Sequence, residues 1–430
     1  MGVIPYTRAM RIPPEAQKIL STLESAGFEG FVVGGCVRDV LRGITPKDWD
    51  ITTNATPHQV KALFPRTFDT GIRHGTISVL ENRKPYEVTT YRIDGTYTDA
   101  RRPDSVTYAS SIEEDLSRRD FTMNAIAYSP AHGFADPFSG REDIAAKIIR
   151  CVGDPAHRFG EDALRMLRAL RFAGTLGFAV DPATLTAISA QKENLARISA
   201  ERVREELTRL LCGAYPHALS LLAETGLLPY VLQTGNSPYP GNLTQTIRQL
   251  EEAPPDAHLR LSLFFAPFHT GGAPALEKLL RALRFDNKTI QAISLYTRLL
   301  PHSIPADPYA IKKHLKQMPQ PTAQAFFENL LALQEITGIC HPAHATALRR
   351  ISQEIHARNE CYTLSGLAVN GKDLAAMGIP PGKAMGNALE KLLDAVMRQP
   401  ELNEKGGLEK IIGGFAPEPP RAFEKARPKL

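Results

Sequence analysis

A chain of 430 residues is too long for one compact core and implies two to four domains. Its 43% hydrophobic content, formal net charge of +5 and pI near 8.8 describe a mildly basic globular protein, which permits a polyanionic partner without requiring one. Five scattered cysteines with no CxxC pair, no apolar signal region and no membrane-length apolar run argue against a zinc cluster, a secreted disulfide scaffold and a membrane protein, and in favour of a soluble protein of the reducing cytoplasm.

The first 150 residues mix strand and helix. A helix over 14–26 precedes a strand over 28–33, whose run Phe31-Val32-Val33 reads as buried. GGCVRDVLRGITPKDWDI follows, residues 34–51, with Val37, Val40 and Leu41 at the spacing of a helix over 36–43. A glycine pair between strand and helix lets a ligand approach the backbone, and the helix N-terminus offers free N–H groups to an anion. Cys36, just after the pair, suits packing better than nucleophilic chemistry. Asp48 and Asp50 fall on the next expected strand, 48–53, where residues i and i+2 project from the same face. Two adjacent carboxylates repel each other unless a cation lies between them, so the segment reads as a metal-bound phosphate site. A lone DxD is equally well a solvated strand edge or a helix cap; the glycines and Arg38 favour the metal.

A helix over 57–64 and strands over 76–80 and 85–92 come next. Glu87, in YEVTTYR, could add a third carboxylate from a neighbouring strand, its plainer role being an exposed strand residue. Residues 92–107, RIDGTYTDARRPDSVT, are polar and aperiodic and read as a long functional loop before a helix over 111–119. In RRDFTMNAIAY, 118–128, Arg118 and Arg119 would ordinarily end a helix in solvent; beside a triphosphate, Arg119 becomes a phosphate or sugar contact.

Helical periodicity dominates from about residue 155, most strongly in PAHRFGEDALRMLRALRFAGTLGF. On one helix, Asp162 and Arg165, Arg165 and Arg168, and Arg168 and Arg171 are i, i+3 neighbours. The plain reading is a salt bridge and a solvated basic stripe. A sharper one follows from hydrogen-bond types, because a carboxylate only accepts and a guanidinium only donates. An Asp–Arg pair in one plane would accept the Watson–Crick edges of cytosine and adenine and reject those of uracil and guanine, with no template. Pro- and Gly-containing breaks fall at 234–242, 252–256 and 301–308. LSGLAVNGKDLAAMGIPPGKAMGNALEKLLDAV then suggests two short helices about a Gly/Pro turn, and the chain from Pro417 suggests a frayed tail. GIPPGKA at 378–384 lacks the spacing of a P-loop.

GGCVRD, DWD, RRPD, RRDFTMNA and EDALRMLRALRFA, in this order, resemble the bacterial branch of the class II tRNA nucleotidyltransferases, the CCA-adding enzymes of the polymerase β superfamily. The similarity continues through LAVNGKDLAAMGIPPG and is weakest over 235–330. The resemblance implies an α+β fold of seahorse shape. A polymerase β-like mixed-sheet nucleotidyltransferase head (1–150) would be followed by an all-α neck for base recognition (151–215), body (216–330) and tRNA-binding tail (331–430). It further implies that Asp48 and Asp50 bind Mg²⁺, with Glu87 the candidate third catalytic carboxylate. Gly35, Arg38 and Arg119 would contact the incoming nucleotide, and Asp162 and Arg165 would read its base with Arg168 and Arg171 nearby.

The implied reaction is template-independent addition of CCA to the 3′ end of tRNA from CTP and ATP. Enzymes of the family restricted to CC lack the loop at 92–107, whereas GTYTDARRPD is present here. That argues against a CC-only enzyme but does not separate full CCA addition from A-only addition, which shares the loop. Full CCA addition is the reading taken, with A-only addition the alternative, and the tail argues against a poly(A) polymerase. A non-catalytic RNA-binding protein would leave the carboxylate pair unexplained.

Overall fold

A computed structural model describes residues 10–72, 75–94, 106–234 and 238–413. The chain divides into two compact units, 1–294 and 295–430.

The first unit opens with α1 (Pro14–Ser25), which buries Ala16, Ile19, Leu20 and Leu23. The wholly buried β1 (Gly30–Val33) leads into α2 (Gly35–Leu41), β2 (Ile51–Thr53) and α3 (Pro57–Leu63). Thr56 starts α3 with a capping box in which its hydroxyl accepts the Gln59 N–H and the Gln59 side chain returns to the Thr56 N–H. Strands β3 (Thr67–Gly71), β4 (Thr76–Glu81), β5 (Lys84–Thr90), β6 (Arg92–Asp94) and β7 (Val106–Tyr108) follow. After α4 (Ile112–Ser117) come β8 (Ala127–Ser129), β9 (Gly133–Ala135), α5 (Gly140–Ala146) and β10 (Ile148–Ile149).

Seven strands form one sheet in the order β3-β4-β5-β2-β1-β8-β9. Its neighbours are antiparallel except β2 and β5, which run parallel, so the sheet is mixed. On one face, Phe31 and Val33 pack with Tyr91, Ile112 and Leu116 under α4. Helices then take over: α6 (Pro155–Glu161), α7 (Leu164–Leu176), a two-residue β11 (Ala179–Val180), α8 (Pro182–Gln191) and α9 (Ala200–Leu211). The expected α+β order, a mixed-sheet head before helices, is the one observed.

Three local expectations change. Strand β2 begins only at Ile51, so Asp48 and Asp50 lead into the strand. The segment expected to be a loop over 92–107 has a paired base, β6 against β7, while GTYTDARRPD lies outside the described residues. The long helix expected from 155 is two helices, with Asp162 extended between them (φ −141°, ψ 103°). Its carboxylate accepts the Leu164 N–H at 3.0 Å, giving α7 a start of its own.

A helix over Asn287–Leu299 carries the chain across the division at 294. The second unit is helical, with Pro308–Gln317, Ala323–Ile336, Pro342–Ala357 and Lys383–Arg398 its longer elements. The last of these spans 16 residues, longer than expected after the Gly/Pro turn, and with Val369, Leu374 and Leu408 it buries Leu392, Leu393, Val396 and Met397. The frayed tail expected from Pro417 falls beyond the described residues.

Candidate active site

The carboxylates are placed by strand register. The Val33 N–H donates to the Asp50 carbonyl at 3.0 Å, so the β1–β2 ladder continues one residue past β2. Parallel pairing sets Ile51 opposite Val88; one step back sets Asp50 beside Glu87. Alternation along the chain then gives Asp50 and Thr52 the same face as Glu87 and Thr89. Asp50 and Glu87 are both exposed. Even so, protein surrounds Asp50 closely enough that burial is the first cause raising its carboxyl above the usual range; Glu87 and then Asp48 raise it further, and Arg119 opposes them. The three carboxylates therefore form one electrostatic group. Trp49, between the aspartates, lines a cavity of about 410 Å³ with Arg11, Val40, Ile44 and Pro46.

The cationic side of the site lies toward β1. Gly34 joins β1 to α2 with φ 80° and ψ −127°, a conformation open to glycine. A Cβ there would stand 2.9 Å from Nη1 of Arg119, so the guanidinium rests on bare backbone. Arg119 Nη2 donates to Asp115 Oδ2 at 3.3 Å, and its buried Nε has no partner. Burial is the strongest influence on Asp115 and raises it, yet Arg118 and Arg119 outweigh it and hold the carboxyl below its usual range. Arg38 is 9% exposed; its Nε and Nη2 grip Asp39 at 3.0 and 2.9 Å and its Nη1 donates to Asn124 Oδ1 at 2.7 Å. Gly35 begins α2, its absent Cβ 3.7 Å from Arg38 Nη2.

Asp162 and Arg165 do not form the intrahelical pair expected from their spacing, because the helix breaks between them. Asp162 is held by Arg202 of α9, with Nη2 at 2.7 Å from Oδ2 and Nη1 at 3.4 Å from Oδ1. Arg165, 8% exposed, donates to Glu161 at 2.5 Å, to the Arg158 carbonyl at 3.1 Å and to the Arg118 carbonyl at 2.9 Å. The two side chains thus rest on separate supports.

Arg168 and Arg171 are likewise no solvated stripe. Arg168 forks onto Asp120 Oδ2 from Nε (2.9 Å) and Nη2 (2.6 Å), while Arg171 Nε donates to Glu206 at 2.8 Å. Asp120 Oδ1 accepts from Asn124 Nδ2 at 3.1 Å, closing a polar chain Arg38–Asn124–Asp120–Arg168. The Phe172 ring lies under Arg38, Arg168 and Arg171, whose guanidinium carbons stand 5.3, 5.5 and 3.6 Å from its centroid. Arg202, Asn124, Asp120 and Glu206 thus orient the proposed nucleotide contacts, and spacing alone did not single them out. Asp162 as a helix-start residue before an apolar periodic run was the one local signal of the break.

The oxygen-only donors suit a hard divalent cation. Among the described residues, no group of three or more carboxylate, His or Cys side chains stands ready to hold a metal by itself. Arg119 offsets only part of the repulsion on Asp50, and a divalent cation would relieve the rest.

Sequence profiles match in order along the chain: the poly A polymerase head domain over 30–150, the probable RNA and SrmB-binding site of polymerase A over 177–236, and a putative tRNA nucleotidyltransferase domain 2 over 266–412. A protein named CCA-adding enzyme from Geobacillus stearothermophilus is 40% identical over 408 residues, covering 91% of this chain and 95% of that protein. A second of that name, from Levilactobacillus brevis, is 37% identical over 396 residues, covering 91% and 96%. Among solved structures, the Bacillus stearothermophilus CCA-adding enzyme in complex with CTP superposes with a TM-score of 0.80 at 34% identity, covering 94% of this chain and 99% of that one.

Proposed function

The chain belongs to the CCA-adding enzymes, and we propose that it adds C, C and A to the 3′ end of tRNA from CTP and ATP. The observation that carries the site assignment is the coupling of Asp48, Asp50 and Glu87 beside an arginine laid on the backbone of Gly34. In this reading Asp48 and Asp50 hold a divalent cation, Mg²⁺, which when bound neutralises phosphate charge and lowers the pKa of the attacking hydroxyl. Arg119 and Arg38 orient the triphosphate, with Gly35 leaving its backbone open to the ligand. The tRNA 3′-hydroxyl attacks the α-phosphorus in line, a phosphodiester forms and pyrophosphate leaves. Glu87 adds negative charge on the acceptor side of Asp50. The rest of the chain assists as neck, body and tail, over 151–215, 216–330 and 331–430, and acts on tRNA in the cytoplasm; among the described residues no helix is long and apolar enough to cross a membrane.

Asp162 accepts and Arg165 donates, and their supports fix where each does so. Replacing Asp162 by Ala should reduce the preference for CTP and ATP over UTP and GTP by about tenfold or more, since each lost polar contact in such a pocket is worth about 1–3 kcal/mol. Incorporation assays with each triphosphate supply the measurement. An unchanged preference would reduce Asp162 and Arg202 to a structural bridge.

Product length tests the reaction itself. With tRNA ending at the discriminator base, CTP alone should extend the end by two residues and CTP with ATP by three. A relative specialised for A addition would leave that substrate unextended by CTP, and extension by A alone well beyond three residues would mark a poly(A) polymerase.

A further inference from the structure

On the sheet face that carries the carboxylates, register sets one line of side chains across four strands. Asp50 stands beside Glu87, Glu87 pairs with Ser78 of β4, and Ser78 pairs with Phe68 of β3. Ser78 is buried and hydrogen-bonded to Thr70 at 3.0 Å, whereas Phe68 is 55% exposed, an aromatic ring standing in water on an edge strand. Asp69, its chain neighbour, points to the opposite face and pairs there with Lys61 of α3 at 2.9 Å. Arg66 continues the ladder, its carbonyl accepting the Leu80 N–H at 3.0 Å, and lies exposed two residues before Phe68, hence on the same side.

We propose that Phe68, with Arg66, is a stacking platform for the single-stranded acceptor end of the tRNA, a positioning residue upstream of the reacting nucleotide. The proposal rests on the nucleotidyl-transfer reading above. In-line displacement puts the attacking hydroxyl and the departing pyrophosphate on opposite sides of the α-phosphorus. Arg119 and Gly34 fix the phosphate side toward β1, so the acceptor strand enters over β5, β4 and β3. Three strand spacings of about 4.8 Å place Phe68 about 14 Å from Asp50, a few nucleotides back from the 3′ end. Unpaired RNA ends present free base faces, aromatic rings stack on them with little regard to sequence, and a neighbouring arginine meets the phosphates. That tolerance suits an end whose sequence changes with every addition.

The test compares wild type with Phe68→Ala and Phe68→Trp on a tRNA lacking only its terminal A, which keeps unpaired nucleotides behind the 3′ end. Phe68→Ala should raise KM for the RNA by about fivefold to a hundredfold, the range for loss of one stacked base, while KM for ATP stays unchanged; Phe68→Trp should restore the RNA value. An RNA carrying an abasic residue at the stacked position should lose the same factor with wild type and nothing further with Phe68→Ala. Equal RNA KM values for wild type and Phe68→Ala, or a rise of equal size in KM for ATP, would overturn the proposal. A wild-type chain that extends no RNA would sink the underlying reading, and this one with it, in a distinguishable way.

Discussion

Replacing Asp50 by Asn is expected to lower nucleotide incorporation on the order of a thousandfold while leaving the metal-free fold at least as stable as wild type. The loss in rate follows from removing a charge that anchors the site where phosphate charge is neutralised. The stability follows from the raised carboxyl of Asp50, which burial, Glu87 and Asp48 together push up. A folded-state pKa above the unfolded value of about 3.9 means that stability is fully present below that value and is lost as pH rises through the folded one. At neutral pH the wild type therefore bears a repulsion that Asn removes. A divalent cation should raise the melting temperature of the wild type and much less that of Asp50→Asn. Asp48→Ala should lose activity similarly. Near-normal incorporation by either folded variant would remove that residue from the chemistry.

The largest effect on folding should come from Asp120. It is 8% exposed and accepts from the Phe121 N–H, Asn124 and both forks of Arg168. Burial is the strongest influence and raises it, but Arg168 and the hydrogen bonds prevail and hold the carboxyl at about 2. The folded value lies below the unfolded one, so this stabilisation is present above about pH 3.9 and is lost as pH falls toward the folded value. Asp120→Ala leaves Arg168 without its main partner and should cost about 3–5 kcal/mol, read as a lower urea midpoint of the first unit. Adding Arg168→Met to that variant should recover much of the loss. A single variant as stable as wild type would show that Glu206 alone satisfies Arg168.

What was legible in the sequence was what local chemistry dictates. The apolar run at 31–33 and the alternation through Val88 marked strands correctly, and the breaks near 252–256 and 301–308 coincide with helix ends. The same-side logic for Asp48 and Asp50 anticipated that the two carboxylates bear on each other, although the strand begins at Ile51, three residues later than expected. Strands β3, β8 and β9 escaped because they are three to five residues long and owe their pairing to neighbours rather than to composition. The helix break at Asp162 escaped because apolar periodicity runs through it, while Asp162 turns extended and takes the Leu164 N–H. Partners 40 and 48 residues away, Arg202 for Asp162 and Arg168 for Asp120, exist only once the chain is folded.

That break separates two properties which a continuous helix would have tied together. Along an unbroken helix, the direction of Asp162 would be dictated by the same turns that bury Leu164, Met166 and Leu167, and no change in one could spare the other. Here the carboxylate hangs on an extended residue and is aimed by Arg202, reaching over from another helix. Under the proposed base-reading role of Asp162, side-chain changes at the Arg202 contact are expected to alter nucleobase preference while the hydrophobic seam of α7 stays intact. For a designer working from that proposed role, Arg202 is the adjustable screw and α7 the fixed bench.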